Sequence, residues 1–75
     1  MYRVYMEQLE APTPQDIRKL REFYGDSREE FGSRFNKSKH TVRAWEKDYK
    51  VPGHRNMDGS ARVIYYSLKE YMDDQ

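Results

Sequence analysis

The ten residues SKHTVRAWEK, at positions 38–47, bring together three side chains with hydrogen-bond donors, Lys39, His40 and Arg43. Lysine and arginine carry positive charge and bind acceptor atoms such as those of phosphates and nucleic-acid bases. In a helix, these spacings of one and four residues place all three on the outer side near its start. Val42 and Trp45 then face inward. The segment therefore predicts either a solvated helix surface or a surface that binds an acceptor-rich partner.

Other residue types in the chain do not form a pattern typical of catalysis or of metal binding. His40 and His54 have neither a cysteine nor a second histidine at metal-ligand spacing. There is no glycine-rich phosphate loop, and the neighbouring Glu29 and Glu30 point to different faces of a helix. We therefore expect no enzyme activity, no metal, no cofactor and no small-molecule ligand.

Positive charge is concentrated around the same segment, although the whole chain has a formal net charge of only +1. Residues 34–55 contain seven basic and two acidic residues, a net charge of +5, whereas residues 1–33 and 56–75 each carry −2. A basic patch between acidic segments indicates an anionic partner at one face rather than general binding to polyanions. A solvated charged face without a partner is the alternative.

Capping residues predict the first two helices. The sequence TPQD at residues 13–16 is typical of a helix start, and this helix continues to about Tyr24. Ser27 forms a capping box with Glu30 and opens a shorter helix to about Phe35. The predicted apolar faces are Ile17, Leu20 and Tyr24 in the first helix, and Phe31 and Phe35 in the second.

The third predicted helix contains the donor residues. Asn36 tolerates a left-handed backbone and predicts a tight turn before Ser38, which is the next capping residue. The helix then continues to about Lys47. Two short helices joined by a tight turn, the second with basic residues at its start, have the geometry of a helix-turn-helix motif.

A loop and a fourth helix follow. Residues 48–59 contain one proline and two glycines and predict the loop. Asp58 or Ser60 caps the next helix, which continues to about Met72. Its predicted apolar face consists of Ala61, Ile64, Tyr65, Leu68 and Tyr71 or Met72. We predict an all-α fold of four to five helices with a central helix-turn-helix.

Residues 1–12 fit two patterns, and we treat them as an N-terminal arm that precedes a helical domain at residues 13–72. Tyr2, Val4 and Met6 alternate with other residues as in a strand, whereas the following EQLEA favours helix. A lone strand is not stable by itself, so a strand here would pair with something, such as a second copy of the chain.

The length and the termini indicate one small soluble domain. A chain of 75 residues buries only about three fifths of its unfolded surface, and without cysteine no disulfide supplements the core. The N-terminus lacks the features of a signal peptide, and no segment approaches the roughly 20 apolar residues of a membrane span. We expect a cytoplasmic protein.

Residues 17–52 resemble the lambda-repressor and Cro-like helix-turn-helix proteins, often called the XRE family. The likeness covers about half of the chain and depends on position as well as on composition. The matching positions are Leu20 and Arg21, Ser27, Phe31 followed by the small Gly32 where two helices must approach, Phe35, Val42, and Trp45 with Glu46. The resemblance implies a lambda-repressor-like fold and binding to double-stranded DNA.

Three positions depart from the pattern of that family. Asn36 stands where glycine is usual, and Lys37 and Asp26 stand where apolar residues are common. Asparagine adopts the turn conformation at little cost. The two charged residues predict a looser or differently packed turn, offset by the phenylalanines and Trp45.

The resemblance also implies roles for single residues. Lys39 and His40 match the first positions of the recognition helix, and with Arg43 they are expected to contact base edges in the major groove. Arg28 matches a phosphate-contacting position. The other expected phosphate contacts are Ser38, Thr41, Lys47, Lys50 and Arg55. Arg21 and Glu46 match an ion pair that ties the first helix to the recognition helix.

One recognition helix covers only a few base pairs, so we expect a homodimer on an inverted-repeat operator. The expected interface is on the fourth helix, at Tyr65, Tyr66, Leu68 and Tyr71, with help from the N-terminal arm. The resulting expectation is a bacterial or phage transcription regulator that represses by occupying its operator. The alternatives are a protein-interaction module, such as an antitoxin or a polymerase-binding adaptor, and an excisionase-like protein that bends DNA.

Overall fold

Four α-helices and no strand are present in the computed structural model, which describes residues 9–75. The helices are α1 (Pro14–Phe23), α2 (Arg28–Arg34), α3 (Lys39–Glu46) and α4 (Gly59–Asp73). The prediction of an all-α fold is confirmed. Residues 9–12 of the expected N-terminal arm form neither helix nor strand, and the rest of that prediction lies outside the described residues.

Each helix begins directly after a capping side chain. Thr13, Ser27, Ser38 and Asp58 each accept a hydrogen bond from the backbone N–H three residues later. The carboxylates of Asp16 and Glu30 in turn accept hydrogen bonds from the backbone N–H groups of Thr13 and Ser27, which completes two capping boxes. Of the two candidates for the cap of α4, Asp58 is the one used. The chain therefore starts its helices through short-range side-chain contacts that the sequence already contains.

Two left-handed residues separate the first three helices. Gly25, with φ of +68°, follows α1, and Asn36, with φ of +57°, lies between α2 and α3. The prediction that Asn36 takes the left-handed conformation is confirmed. The N–H of Lys37 donates to the carbonyl of Gly32 at 2.9 Å and so closes the end of α2.

The core lies where α1, α2 and α3 meet the start of α4. Its buried members are Ile17, Leu20, Phe31, Phe35, Val42, Trp45, Met57, Ala61 and Tyr65. The ring of Phe35 joins α2 to α3, since its centroid lies 4.9 Å from that of Phe31 and 5.2 Å from that of Trp45. Met57 enters this core from the loop before α4, which the sequence patterns did not predict.

Close approach of α2 and α3 requires a glycine at residue 32. A Cβ atom there would lie 2.6 Å from the carbonyl oxygen of Lys37 and 3.2 Å from that of Ser38. Separations below 3 Å are not tolerated by a rigid backbone. The interpretation of Gly32 as the point where two helices approach is confirmed, and this contact fixes α3 relative to α2.

The prediction that Tyr65 belongs to a dimer interface is wrong. Its side chain is only 2% exposed, because it packs inside the core of its own chain. Tyr66 and Leu68 are half-buried, and the hydroxyl of Tyr66 donates to the carbonyl of Glu10. Tyr71 is 57% exposed and is the most accessible of the four predicted interface residues.

No helix within residues 9–75 combines the length and the apolar character needed to cross a membrane.

Candidate nucleic-acid interface

Helix α3 divides into a buried face and an exposed face. Val42, Trp45 and Glu46 are buried, whereas Lys39, His40 and Arg43 are exposed. The division follows from helical periodicity, because residues spaced three or four apart lie on the same side of a helix and here pack into the core. The structure therefore brings the three expected base-contacting residues together on one surface.

These exposed residues line an open groove between the starts of α2 and α3. Its lining consists of the capping residue Ser27, of Arg28 and Glu29 from α2, and of Lys39, His40 and Arg43 from α3. Arg28, an expected phosphate contact, thus lies in the same groove as the three expected base contacts. Glu29 is an acidic member of the same groove, and it would repel a phosphate placed next to it.

Glu46 ties α3 to α1 through a two-bond contact with Arg21. The Nε of Arg21 donates to one carboxylate oxygen at 2.7 Å, and its second amino group donates to the other at 3.2 Å. This is the ion pair that the family resemblance implied. The hydrogen bond to Glu46 raises the pKa of Arg21 above its ordinary value. Glu46 is buried, so the pair lies in a region of low dielectric.

Two further arginines contact the same carboxylate, and the sequence patterns missed both. The Nε of Arg28 lies 3.2 Å from Glu46 Oε1, and the Nε of Arg18 lies 3.8 Å from the same atom. Arg18 also donates to the backbone carbonyl of Glu46 at 3.4 Å. The available signal was the spacing of Arg18 and Arg21, three residues apart on one helical face. Arg28 is therefore anchored to Glu46 through its Nε.

A second groove is lined by Thr41 and Trp45, which helical periodicity places on the side of α3 opposite Lys39 and Arg43. Thr41 and Arg55, two of the expected phosphate contacts, lie here and not beside Lys39 and Arg43. The remaining lining residues are Lys37, Asn56 and Asp58. Positively charged side chains consequently flank α3 on both sides.

The two charged residues at positions where the family carries apolar ones both have ionic partners. The carboxylate of Asp26 accepts from the Nε of Arg34 at 2.6 Å, and the guanidinium of Arg34 lies 4.5 Å from the centre of the Tyr24 ring. The ammonium of Lys37 lies 3.3 Å from a carboxylate oxygen of Asp58. Ion pairs therefore occur at the two turns, around Asp26 and around Lys37, where the family resemblance would place apolar contacts.

The loop after α3 folds back onto the end of that helix. The N–H of Arg55 donates to the carbonyl of Ala44 at 3.1 Å. The imidazole of His54 bridges the carbonyl of Lys47, 2.7 Å from Nδ1, and the side chain of Asn56, 3.0 Å from Nε2. These contacts fix the loop that contains Lys50 and Arg55, two of the expected phosphate contacts, against the end of α3.

The three remaining expected phosphate contacts differ in accessibility. Lys50 is exposed in the loop, and Lys47 is half-buried at the end of α3. The hydroxyl of Ser38 accepts the N–H of Thr41 as the cap of α3, and it lies 3.4 Å from the hydroxyl of Thr41. Of the two lysines, Lys50 therefore carries the more accessible positive charge.

An aromatic surface lies away from α3, where the ends of α1 and α4 meet. Phe23 is 41% exposed and Tyr71 is 57% exposed, with ring centroids 6.3 Å apart. Tyr24 stacks against Tyr71 at 6.2 Å. Phe23 was missed by the sequence patterns because it lies outside the apolar stripe of α1. We call Phe23, Tyr24 and Tyr71 the aromatic surface.

Comparison of the chain with protein-family models, with curated proteins and with solved structures gave no match.

Proposed function

We propose that this protein binds double-stranded DNA through α3 and represses transcription in the manner of the lambda-repressor and Cro-like proteins. The observation that carries the proposal is the division of α3. Its buried face fixes the helix to α1 and α2, while Lys39, His40 and Arg43 project from it beside the start of α2. This is the arrangement in which the second helix of a helix-turn-helix lies in the major groove.

Base recognition belongs to the three projecting side chains. Arg43 and Lys39 match the O6 and N7 acceptors of guanine, and His40 donates one further bond. Arg28 and Lys50 contact phosphates, which set the position of the protein without reading the sequence. The net charge of +5 over residues 34–55 supports contacts with an anionic backbone, because this positive charge is concentrated around α3.

The active form is a homodimer on an inverted repeat. Helix α3 contains eight residues and so is about 12 Å long, which limits the base pairs that one chain reads. Two copies placed one DNA turn apart, roughly 34 Å, double the recognised sequence. The aromatic surface supports self-association, since it exposes large rings away from the proposed DNA face.

The test is a selection from random duplex DNA, followed by binding measurements at two salt concentrations. Arg43→Ala should relax the preference at one base pair by about 1–3 kcal/mol. Lys50→Ala should weaken binding to all sequences alike and lower the salt slope by about one. Lys69→Ala is the matched control, because it removes the same charge from α4, outside both grooves. Binding that neither Arg43→Ala nor Lys50→Ala changes contradicts the proposal.

A protein-interaction module is the second candidate, and the exposed rings of Phe23 and Tyr71 are the observation that favours it. On this alternative the selection yields no enriched sequence.

A further inference from the structure

The groove on the second flank of α3 contains two cations and one carboxylate. Lys37 lies in the turn before α3, and Arg55 lies in the loop before α4. The hydroxyl of Thr41 and the amide of Asn56 add two neutral hydrogen-bonding groups. Asp58 is the single acidic residue in this lining. The set of donors is suited to a phosphodiester, and Asp58 opposes it.

Asp58 uses its two carboxylate oxygens for different purposes. Oδ1 accepts the N–H of Ala61 at 2.8 Å and so caps α4. Oδ2 lies 3.3 Å from the ammonium of Lys37. The cap and the ion pair are therefore separable, because an asparagine keeps the capping oxygen and loses the charge.

A helix in the major groove has a sugar–phosphate strand on each side, about 12 Å apart. The groove beside Arg28 accounts for one of those strands. The second groove lies on the other side of α3, where the opposite strand would pass. Lys37 and Arg55 are then in position to neutralise its phosphates.

We propose that Lys37, Thr41, Arg55 and Asn56 form a second site for DNA backbone phosphate, and that Asp58 lowers its affinity by holding the ammonium of Lys37. The inference rests on the proposed function and extends it. A phosphate must replace the carboxylate as the partner of Lys37, and it must also approach the negative charge of Asp58. Asp58 thereby weakens binding to all sequences alike and leaves the contribution of base contacts larger by comparison.

Two properties of the ion pair are consistent with this exchange. Both side chains are partly exposed, and exposed pairs are weak, so a phosphate displaces the carboxylate at small cost. The hydrogen bond from the N–H of Ala61 lowers the pKa of Asp58 below its ordinary value, which keeps the carboxylate charged near neutral pH.

The experiment compares Asp58→Asn with Lys37→Met on the selected operator at several salt concentrations. Asp58→Asn should bind about five-fold more tightly, with a salt slope steeper by less than about 0.9, because a carboxylate no longer competes with the phosphate for Lys37. Lys37→Met should bind more weakly and with a shallower slope. In the double variant, the gain from Asp58→Asn should be reduced, since no ammonium is left to release.

Asp73→Asn is the matched control, because Asp73 pairs with Lys69 on α4 and its replacement makes the same change in net charge. Equal gains from Asp58→Asn and Asp73→Asn would overturn the inference, since only net charge would then matter. An unchanged affinity in Lys37→Met would also overturn it. If the wild-type chain binds duplex DNA and Arg43→Ala weakens that binding, such results leave the proposed function intact. If the wild-type chain binds no duplex DNA, both proposals fail.

Discussion

At the residue scale, Glu46 is the clearest case of a charge that the fold must compensate. Its side chain is 2% exposed, and a buried carboxylate is costly unless it is paired and hydrogen-bonded. Arg21 supplies two bonds, and Arg18 and Arg28 lie against one carboxylate oxygen. The carboxylate therefore links α1, α2 and α3 at one point.

Replacing Glu46 with glutamine should lower the free energy of unfolding by about 2–3 kcal/mol. Breaking a fully buried pair costs roughly 3–5 kcal/mol, and water near the half-exposed Arg18 and Arg28 reduces that figure here. Urea denaturation measures the change. Glu29→Gln, at an exposed position, is the control and should stay within about 0.5 kcal/mol of wild type. A loss below about 1 kcal/mol in Glu46→Gln would show that the pair contributes little.

Tyr65 should make the stability of the protein fall at alkaline pH. Burial raises the pKa of its hydroxyl above the ordinary value of 10.0, so the folded state keeps the proton that the unfolded state releases. This contribution is complete below pH 10 and is lost as the pH rises toward the folded-state pKa. Urea unfolding at about pH 8 and about pH 11 should show a steeper fall in wild type than in Tyr65→Phe. Equal falls in the two proteins would contradict the burial of the hydroxyl.

At the scale of helices, the contact between α2 and α3 depends on a glycine. Gly32→Ala should lower the free energy of unfolding by about 3 kcal/mol, near the upper end for overpacking, because the new Cβ would meet two backbone oxygens. Gly59→Ala is a matched control, since this glycine lies at the start of α4 and a Cβ there meets nothing within 4 Å. That variant should be neutral or up to about 1 kcal/mol more stable. Thermal and urea denaturation distinguish the two, and similar stabilities would contradict the close approach.

The helices were predictable because their signals are local. A cap such as Ser27 contacts a backbone N–H only three residues away, and the left-handed turn at Asn36 depends on that residue alone. The outward side of α3 was predictable for the same reason, since helical periodicity places Lys39 and Arg43 once Val42 and Trp45 are assigned to the core.

The contacts that were missed join residues far apart in the chain. Asp58 pairs with Lys37 across the whole of α3, and Arg28 reaches a carboxylate 18 residues later. Nothing in a local pattern selects these partners from the other charged residues. Tyr65 was wrongly predicted to belong to a dimer interface for a related reason. The sequence shows that a helix face is apolar, but not whether the same chain or a second copy covers that face.

At the scale of the whole molecule, the cations that flank α3 and the aromatic surface lie on different residues, although Arg34 contacts the ring of Tyr24 and the exposed Tyr49 follows α3. The described chain measures 34 × 28 × 20 Å, and the cations that flank α3 line two separate grooves. The aromatic surface lies at the ends of α1 and α4, on other elements. The proposed DNA-binding surface and the aromatic surface are therefore formed by different residues.

On the proposed function, loss of the aromatic surface should abolish dimer formation and leave α3 intact. Phe23 and Tyr71 are the two rings that a partner copy would cover, and each apolar ring that is buried contributes roughly 1.5–3 kcal/mol. The double variant Phe23→Ser and Tyr71→Ser should sediment as a monomer at concentrations where wild type sediments as a dimer. Tyr49→Ser is the control, because Tyr49 is 56% exposed but lies in the loop after α3.

The same double variant tests how dimer formation contributes to operator recognition. Two linked recognition helices bind an inverted repeat much more tightly than one, because the second contact is made at high effective concentration. The double variant should therefore lose at least about ten-fold in affinity for the full operator and change little on a single half-site. A wild-type dimer that the variant does not disrupt would place the interface elsewhere on the chain. Equal losses on the full operator and on the half-site would instead mean that Phe23 and Tyr71 maintain the fold of the DNA-binding surface and not its pairing.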